Sequence, residues 1–210
     1  MFREAAAAQS AVGWRLKRLL DIVLATLALA ALSPLMLAVV LAIKLDSPGP
    51  AFIRQERVGH RLLPFEMFKF RSMVQNAADL LGDLQAMNEA TPPLFKIRSD
   101  PRLTRVGKYL RRFSIDEVPQ LINVLRGEMS LVGPRPPFAH EVEFDYIRQA
   151  LRLRQIPGMT GLWQVSGRSG LGYEDMIALD LRYQQEWSFV TDVAILLRTP
   201  AAVLTGRGAH

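Results

Sequence analysis

Hydrophobic positions are arranged in two different ways along this chain. From Ile22 to Ile43 no residue is charged, a run long enough to cross a hydrocarbon core as one straight helix. Ser33-Pro34 falls at its middle, where proline removes a backbone donor and crowds the preceding turn. Ser33 offers a hydroxyl to the carbonyls so released. Each half alone reaches about 18 Å, short of a core of about 30 Å. Arg15, Lys17 and Arg18 precede the run, and Lys44, Arg54, Arg57 and Arg61 follow it, so positive charge draws both ends to one side. A kinked transmembrane anchor is the commoner explanation for such a run. The charge and the proline favour a re-entrant helical hairpin over residues 14–46, broken at Ser33-Pro34. A cleaved signal peptide fits poorly, because the run is long and lacks a small-x-small site before Pro48.

Beyond the Ser47-Pro48-Gly49-Pro50 turn cluster the pattern becomes that of a water-soluble fold. Ala51–Val58 and Leu63–Phe70, separated by Gly59-His60-Arg61, predict a β-hairpin. Ser72–Ala90 has helical periodicity and is broken by Thr91-Pro92-Pro93. Gln120–Arg126 predicts a helix closed by Gly127. Phe138–Gln155 reads as one amphipathic helix, and Pro157–Gly172 as an ordered glycine-rich loop. Tyr173–Arg198 reads as a single helix whose apolar side carries Ile177, Leu181, Trp187 and Phe189. That side suits a core, or alternatively a membrane interface. The fold class is α+β, mostly helical with a small β-hairpin, in one domain of 210 residues. Residues 47–199 form its catalytic part and 200–210 a tail; the first dozen residues are read as mobile.

Composition narrows the chemistry. With no cysteine there is no disulfide, thiol nucleophile or cysteine zinc site. A net charge of +6 points to an anionic partner. The basic residues are dispersed and no nucleic-acid-binding signature accompanies them, so anionic lipid head groups and phosphorylated substrates explain the charge better than nucleic acid does. Arg98–Arg112 holds six basic residues against one acid, Asp100. Usually such a run is a solvated face, but here it leads directly into the adjacent carboxylates Asp116 and Glu117.

Those carboxylates stand between Arg111-Arg112 and the rigid turn Gly133-Pro134-Arg135-Pro136. A carboxylate attacks phosphorus or holds a divalent metal, while guanidinium groups clamp phosphate oxygens. The same residues also suit a helix start, with Ser114-x-x-Glu117 as a capping box. Pro119 weakens that version unless the helix begins at Asp116. Taken alone, the motif fits both readings equally.

Several further blocks occur in order: Phe68-Lys69-Phe70-Arg71-Ser72-Met73, Asp100-Pro101-Arg102-Leu103-Thr104, Pro157 to Arg168, then Asp180, Tyr183 and Trp187-Ser188. With Arg111–Pro136 they resemble the bacterial sugar transferases known as monotopic polyprenyl-phosphate phosphoglycosyl transferases, in their minimal catalytic-core form. The resemblance runs from Lys17 to about Thr199. It implies the re-entrant helix, helices lying in the membrane interface, and a catalytic part on the cytoplasmic face of the bacterial inner membrane. It also implies transfer of a sugar-1-phosphate from a UDP-sugar to polyprenyl phosphate, with UMP released. Asp116 is then the nucleophile, and Mg2+ is expected on Asp116, with Glu117 either sharing the metal or supporting proton movement. Arg135 and Arg111 match phosphate-contacting positions; Lys69, Arg71 and Arg168 are further candidates. Phe113 and Ile115 depart from the family's usual residues without touching the chemistry. Three alternatives compete: a membrane-tethered basic binding module, a metal-dependent lipid phosphatase, and a silent scaffold. The sugar, the polyprenol length and any homo-oligomer are left open.

Overall fold

The computed structural model describes residues 2–167 and 170–204. Its longest element is helix α1, Phe2–Asp46. Next comes an antiparallel hairpin, β1 (Phe52–Val58) and β2 (Pro64–Phe70), in the register Phe52↔Phe70 to Val58↔Pro64. Helices α2 (Arg105–Arg112) and α3 (Gln120–Arg126) precede strand β3 (Ser130–Val132). Two short helices follow, α4 (Ala139–Phe144) and α5 (Tyr146–Arg152). Strand β4 (Gly158–Thr160) pairs parallel to β3. Helices α6 (Leu162–Ser166), α7 (Tyr173–Gln185) and α8 (Phe189–Leu204) complete the described chain.

The α+β class and the hairpin agree with the sequence reading, and Gly127 ends α3 in the left-handed conformation at φ 83°. Five local expectations are corrected. Ser72–Ala90 forms turns and two short 3-10 segments, Asp79–Leu81 and Gln85–Met87. Leu81 and Met87 stay exposed, so no packed face supports a helix there. The helix read over Phe138–Gln155 is divided at Asp145, whose φ/ψ of −143°/60° is non-helical. That read over Tyr173–Arg198 stops at Gln185 and restarts at Phe189, where the Ser188 hydroxyl accepts a bond from Thr191 N–H. The glycine-rich loop contains β4 and α6. Helix α8 runs to Leu204, into the residues read as a tail.

Helix α1 is unbroken at Ser33-Pro34, in contrast to the helical break placed there by the sequence. Pro34 leaves the carbonyl four residues earlier, on Ala30, without its usual donor. Ser33 Oγ donates to that oxygen at 2.8 Å, so the lost bond is replaced locally. One stripe of α1 packs on the rest of the protein from Trp14 to Asp46. Ala25, Ala28, Leu29 and Leu32 join a core with Leu121, Val124 and Met129. Met36, Val39, Val40 and Ile43 join another with Phe70 and Leu110. The opposite side leaves Leu19, Leu27, Leu37 and Leu41 exposed.

Both flanks of the apolar run are tied to the same body by helix ends. Arg18 donates to Val124 O at 2.6 Å and Leu125 O at 2.9 Å, at the C-terminus of α3. Asp46 Oδ2 accepts from Val106 N at 2.9 Å, at the N-terminus of α2. A cation at a helix C-terminus and an anion at an N-terminus both match the helix dipole. Each small sheet also has polar groups engaged by side chains. Buried Asn123 accepts from Phe68 N and donates to Glu66 O on β2, which fixes α3 against the hairpin and leaves fewer strand groups unpaired.

Candidate functional site

The carboxylates are presented by a compact reversal between α2 and α3. Thr104 caps α2 by accepting from Gly107 N at 2.9 Å. A Cβ on Gly107 would lie 1.9 Å from Ser72 O, so α2 sits backbone to backbone against the end of the hairpin. Ser72 also accepts from Arg111 Nε at 3.1 Å, which orients that arginine. After α2 the chain turns through Ser114 at φ 53°, an uncommon left-handed conformation for a residue with a side chain. A 3-10 turn over Ile115–Glu117 follows, with Pro119 just ahead of α3. Ser114 makes no side-chain cap, so the capping-box explanation of the motif is not realised.

This reversal buries Asp116, which is 6% exposed, and leaves Glu117 half-buried. Lys69, from β2, places Nζ 3.0 Å from Glu117 Oε1 and 4.0 Å from Asp116 Oδ2. Burial pushes the Asp116 carboxyl up to about 6; Lys69 opposes the rise, Glu117 adds to it and Arg111 opposes it. Lys69, Arg111, Asp116 and Glu117 therefore form one electrostatic cluster. The aspartate is ionised at neutral pH, poorly solvated and flanked by cations, the condition of an activated carboxylate nucleophile.

Arg135 adjoins the cluster and interacts electrostatically with Glu117. Its guanidinium is held by Glu141 through bonds of 2.8 and 3.2 Å, a two-point pairing that fixes its plane. Burial alone would raise Glu141, but Arg135, supported by Arg57 and Arg152, holds it below the ordinary carboxyl range. Arg57 donates to Pro136 O at 3.1 Å and lies 3.3 Å over the Phe138 ring. Arg152, fully buried, pairs with Asp180 and donates to Arg135 O at 2.5 Å. The Arg135 turn is thus braced by three buried charged side chains, Arg57, Glu141 and Arg152, that sequence reasoning passed over. Asp180 was visible as part of a motif, but no local signal paired it with Arg152.

The remaining candidates are distributed differently. Arg71 binds Ser47 O at 2.7 Å, Ser47 Oγ at 3.0 Å and Pro48 O. It clamps the turn that follows α1, away from the role of phosphate ligand expected for it. Ser33 and Pro34 lie within α1 as described, and Arg168 falls outside the described residues. Among the described residues no group of three or more His, Cys, Asp or Glu side chains gathers as a metal cage. Asp116 and Glu117 are nevertheless two hard oxygen donors side by side. Magnesium typically takes one or two carboxylates and completes its shell with phosphate oxygens and water, so the pair fits that ion.

Comparison with known proteins places this geometry in context. Residues 12–206 match the family described as bacterial sugar transferase. Over 203 residues the chain is 41% identical to the exopolysaccharide production protein ExoY of Sinorhizobium fredii, covering 95% of this chain and 90% of that protein. It is 44% identical to the UDP-glucose:undecaprenyl-phosphate glucose-1-phosphate transferase of Caulobacter vibrioides, covering 92% and 72% respectively. Against the undecaprenyl-phosphate galactose phosphotransferase of Salmonella typhimurium identity is 42%, over 93% of this chain and 42% of that protein.

Proposed function

The chain belongs to the bacterial sugar transferase family and is a phosphoglycosyl transferase, and from that premise we propose that it transfers a sugar-1-phosphate from a UDP-sugar to undecaprenyl phosphate, releasing UMP. The observation that carries the reading is Asp116, buried and ionisable beside Lys69 and Arg111. In the first step an Asp116 oxygen forms a bond to the phosphorus that bears the sugar. The bond from that phosphorus to the oxygen shared with UMP breaks, and UMP leaves with the electron pair. In the second, an oxygen of the lipid phosphate attacks the same phosphorus and the Asp116 carboxylate is released. Lys69 and Arg111 offset charge around the aspartate, and Arg135, fixed by Glu141, offers paired donors to phosphate oxygens. Asp116 and Glu117 would hold magnesium, which when bound offsets the repulsion between carboxylate and phosphates.

The relatives act on UDP-glucose or galactose according to their names, which makes the UDP-hexoses the first substrates to offer. The resemblance to an exopolysaccharide production protein supports our reading of the reaction as the first membrane step of polysaccharide assembly. The membrane topology that suits this chemistry keeps both flanks of the apolar run on one face, without the break that a helical hairpin requires. Arg18 and Asp46 flank the apolar run, yet both bond to the same body, and α1 is packed against that body between them. A straight crossing would separate those flanks by a bilayer core of about 30 Å. Cysteines introduced near Ser10 and Ser47, in a chain with none of its own, should react alike with an impermeant reagent; opposite accessibility would refute the topology.

The deciding assay is UMP release by protein in nanodiscs given UDP-sugars, undecaprenyl phosphate and magnesium. Release with at least one sugar and its loss in Asp116→Asn are the expected results. Folded protein that releases inorganic phosphate instead would establish the phosphatase alternative, and a fully active Asp116→Asn would remove the aspartate from the mechanism.

A further inference from the structure

Strand β3 leads straight into the Arg135 turn, and side chains from α1, α7 and α8 hold it. Lys17 Nζ donates to Val132 O at 2.8 Å and to Asp192 Oδ2 at 2.7 Å. Tyr183 OH donates to Asp192 Oδ1 at 2.5 Å and lies 3.3 Å from Val132 O. Trp187 Nε1 donates to Asp192 Oδ2 at 3.2 Å, and its ring stacks on Trp14 of α1 at 4.3 Å. One turn along α1, Asp21 Oδ1 accepts from Leu131 N at 2.9 Å. Lys17 is 4% exposed, Asp192 and Tyr183 1% each. A lysine at the start of an apolar helix would ordinarily meet water or lipid head groups; this one is spent inside the protein.

The residues after Val132 are fixed one by one. Gly133 N donates to Thr160 O at 2.9 Å, and Pro134 O accepts from Gly158 N at 2.9 Å. Arg135 O and Pro136 O accept from Arg152 and Arg57. A Cβ on Gly158 would lie 2.0 Å from Gly133 N, so the strands leave no slack. A displacement at Val132 is therefore passed along a stiff segment to the Arg135 guanidinium.

We propose that Lys17, held by Asp192, is a positioning residue that sets Arg135 through Val132, so that turnover depends on the seating of the membrane helix. The inference rests on the phosphoglycosyl transfer reading for its kinetic consequence, but not for its structural one. Replacing a buried ion pair by apolar residues of similar volume is often neutral for stability. Lys17→Met/Asp192→Asn removes both charges but leaves an amide oxygen for Tyr183 OH, so it should melt close to the wild type while losing one of the two donors to Val132 O. Hydrogen exchange over residues 130–138, without substrate, should then be about tenfold faster. The kcat for UMP release should drop about tenfold with KM for the UDP-sugar within about twofold, and Arg135→Ala should absorb most of that loss in the combined variant. Tyr183→Phe removes the other donor to Val132 O and leaves the ion pair and every charge of α1 in place, so a similar but smaller effect in it cannot come from altered helix orientation. It also carries the test if the double variant fails to fold. Wild-type exchange in these variants, or a kcat loss that multiplies in full with Arg135→Ala, would overturn the proposal. Wild-type protein that releases no UMP would sink the transferase reading alone, and the exchange comparison would still decide this one.

Discussion

Replacing Asp116 by asparagine should stabilise the fold while abolishing transfer. The carboxyl moves from an ordinary value of 3.8 to about 6 on burial. A group bound to its proton more tightly in the folded than in the unfolded chain favours folding most below its unfolded value. That contribution disappears as pH rises through the folded value. Above about pH 6 the native state therefore carries an ionised carboxylate at a cost of about 3 kcal/mol. Asparagine keeps the shape without the charge, and Lys69 keeps Glu117 at 3.0 Å. The attraction of Lys69 to Asp116 at 4.0 Å is already contained in that shift, so about 3 kcal/mol is the net difference. For a chain of this size each kcal/mol moves the melting temperature by about 2–4 °C. Tryptophan fluorescence melts of both proteins in the same nanodiscs should show the variant higher by several degrees at about pH 7.5, with the gap closing towards pH 4. A variant that melts at or below the wild type at neutral pH, or a gap indifferent to pH, would refute the assignment of the strain to an ionised, desolvated Asp116.

With Asp116 as the proposed nucleophile, kcat/KM for the UDP-sugar should fall towards acid pH as the carboxylate is protonated, about tenfold per pH unit in initial-rate assays, with magnesium on the carboxylate moving the fall below about pH 6. Arg135→Lys keeps the charge but loses the two-point pairing with Glu141, and kcat/KM should drop at least about tenfold without a comparable change in melting. Gly107→Ala places a Cβ against Ser72 O; the required movement of α2 should cost about 1–3 kcal/mol, measured by denaturant melts, and lower activity through Arg111.

Sequence reasoning recovers what short-range chemistry dictates. Alternating β-formers around Gly59-His60-Arg61 give the hairpin, and Gly127 closes α3 in the conformation expected of a C-terminal glycine. The Asp116-Glu117 pair, Lys69 and Arg111 are brought together as their types suggested. Long-range compensation was hidden. Arg71 and Lys69 stand two residues apart with equal claims by charge, yet one clamps Ser47 and the other meets the carboxylates. Lys69 and Phe70 alternate across the hairpin, so only Lys69 shares Asp116's side, whereas Arg71 is already past the strand end. Strand β3 was missed because three residues carry no periodicity, and its partner β4 lies in a segment whose glycines suggested only turns. Those glycines are present because Gly133 and Gly158 approach backbone to backbone.

Helix α1 shows why hydropathy alone left its topology open. The side facing the protein carries Ala25, Leu29, Leu32, Met36, Val40 and Ile43; the opposite side carries Leu19, Leu27, Leu37 and Leu41. Both are apolar, so the pattern that distinguishes a buried face from a wetted one is absent. What separates them is side-chain size near the first core, where Ala25 and Ala28 let α1 come close to α3. Polar residues fix the arrangement at its ends: Lys17, Arg18 and Asp21 at one, Asp46 at the other, each bonded to backbone that leads to the site. Charges that sequence rules count as flags of orientation are here consumed as internal contacts. The body therefore holds α1 by both ends, and its leucine side is left exposed.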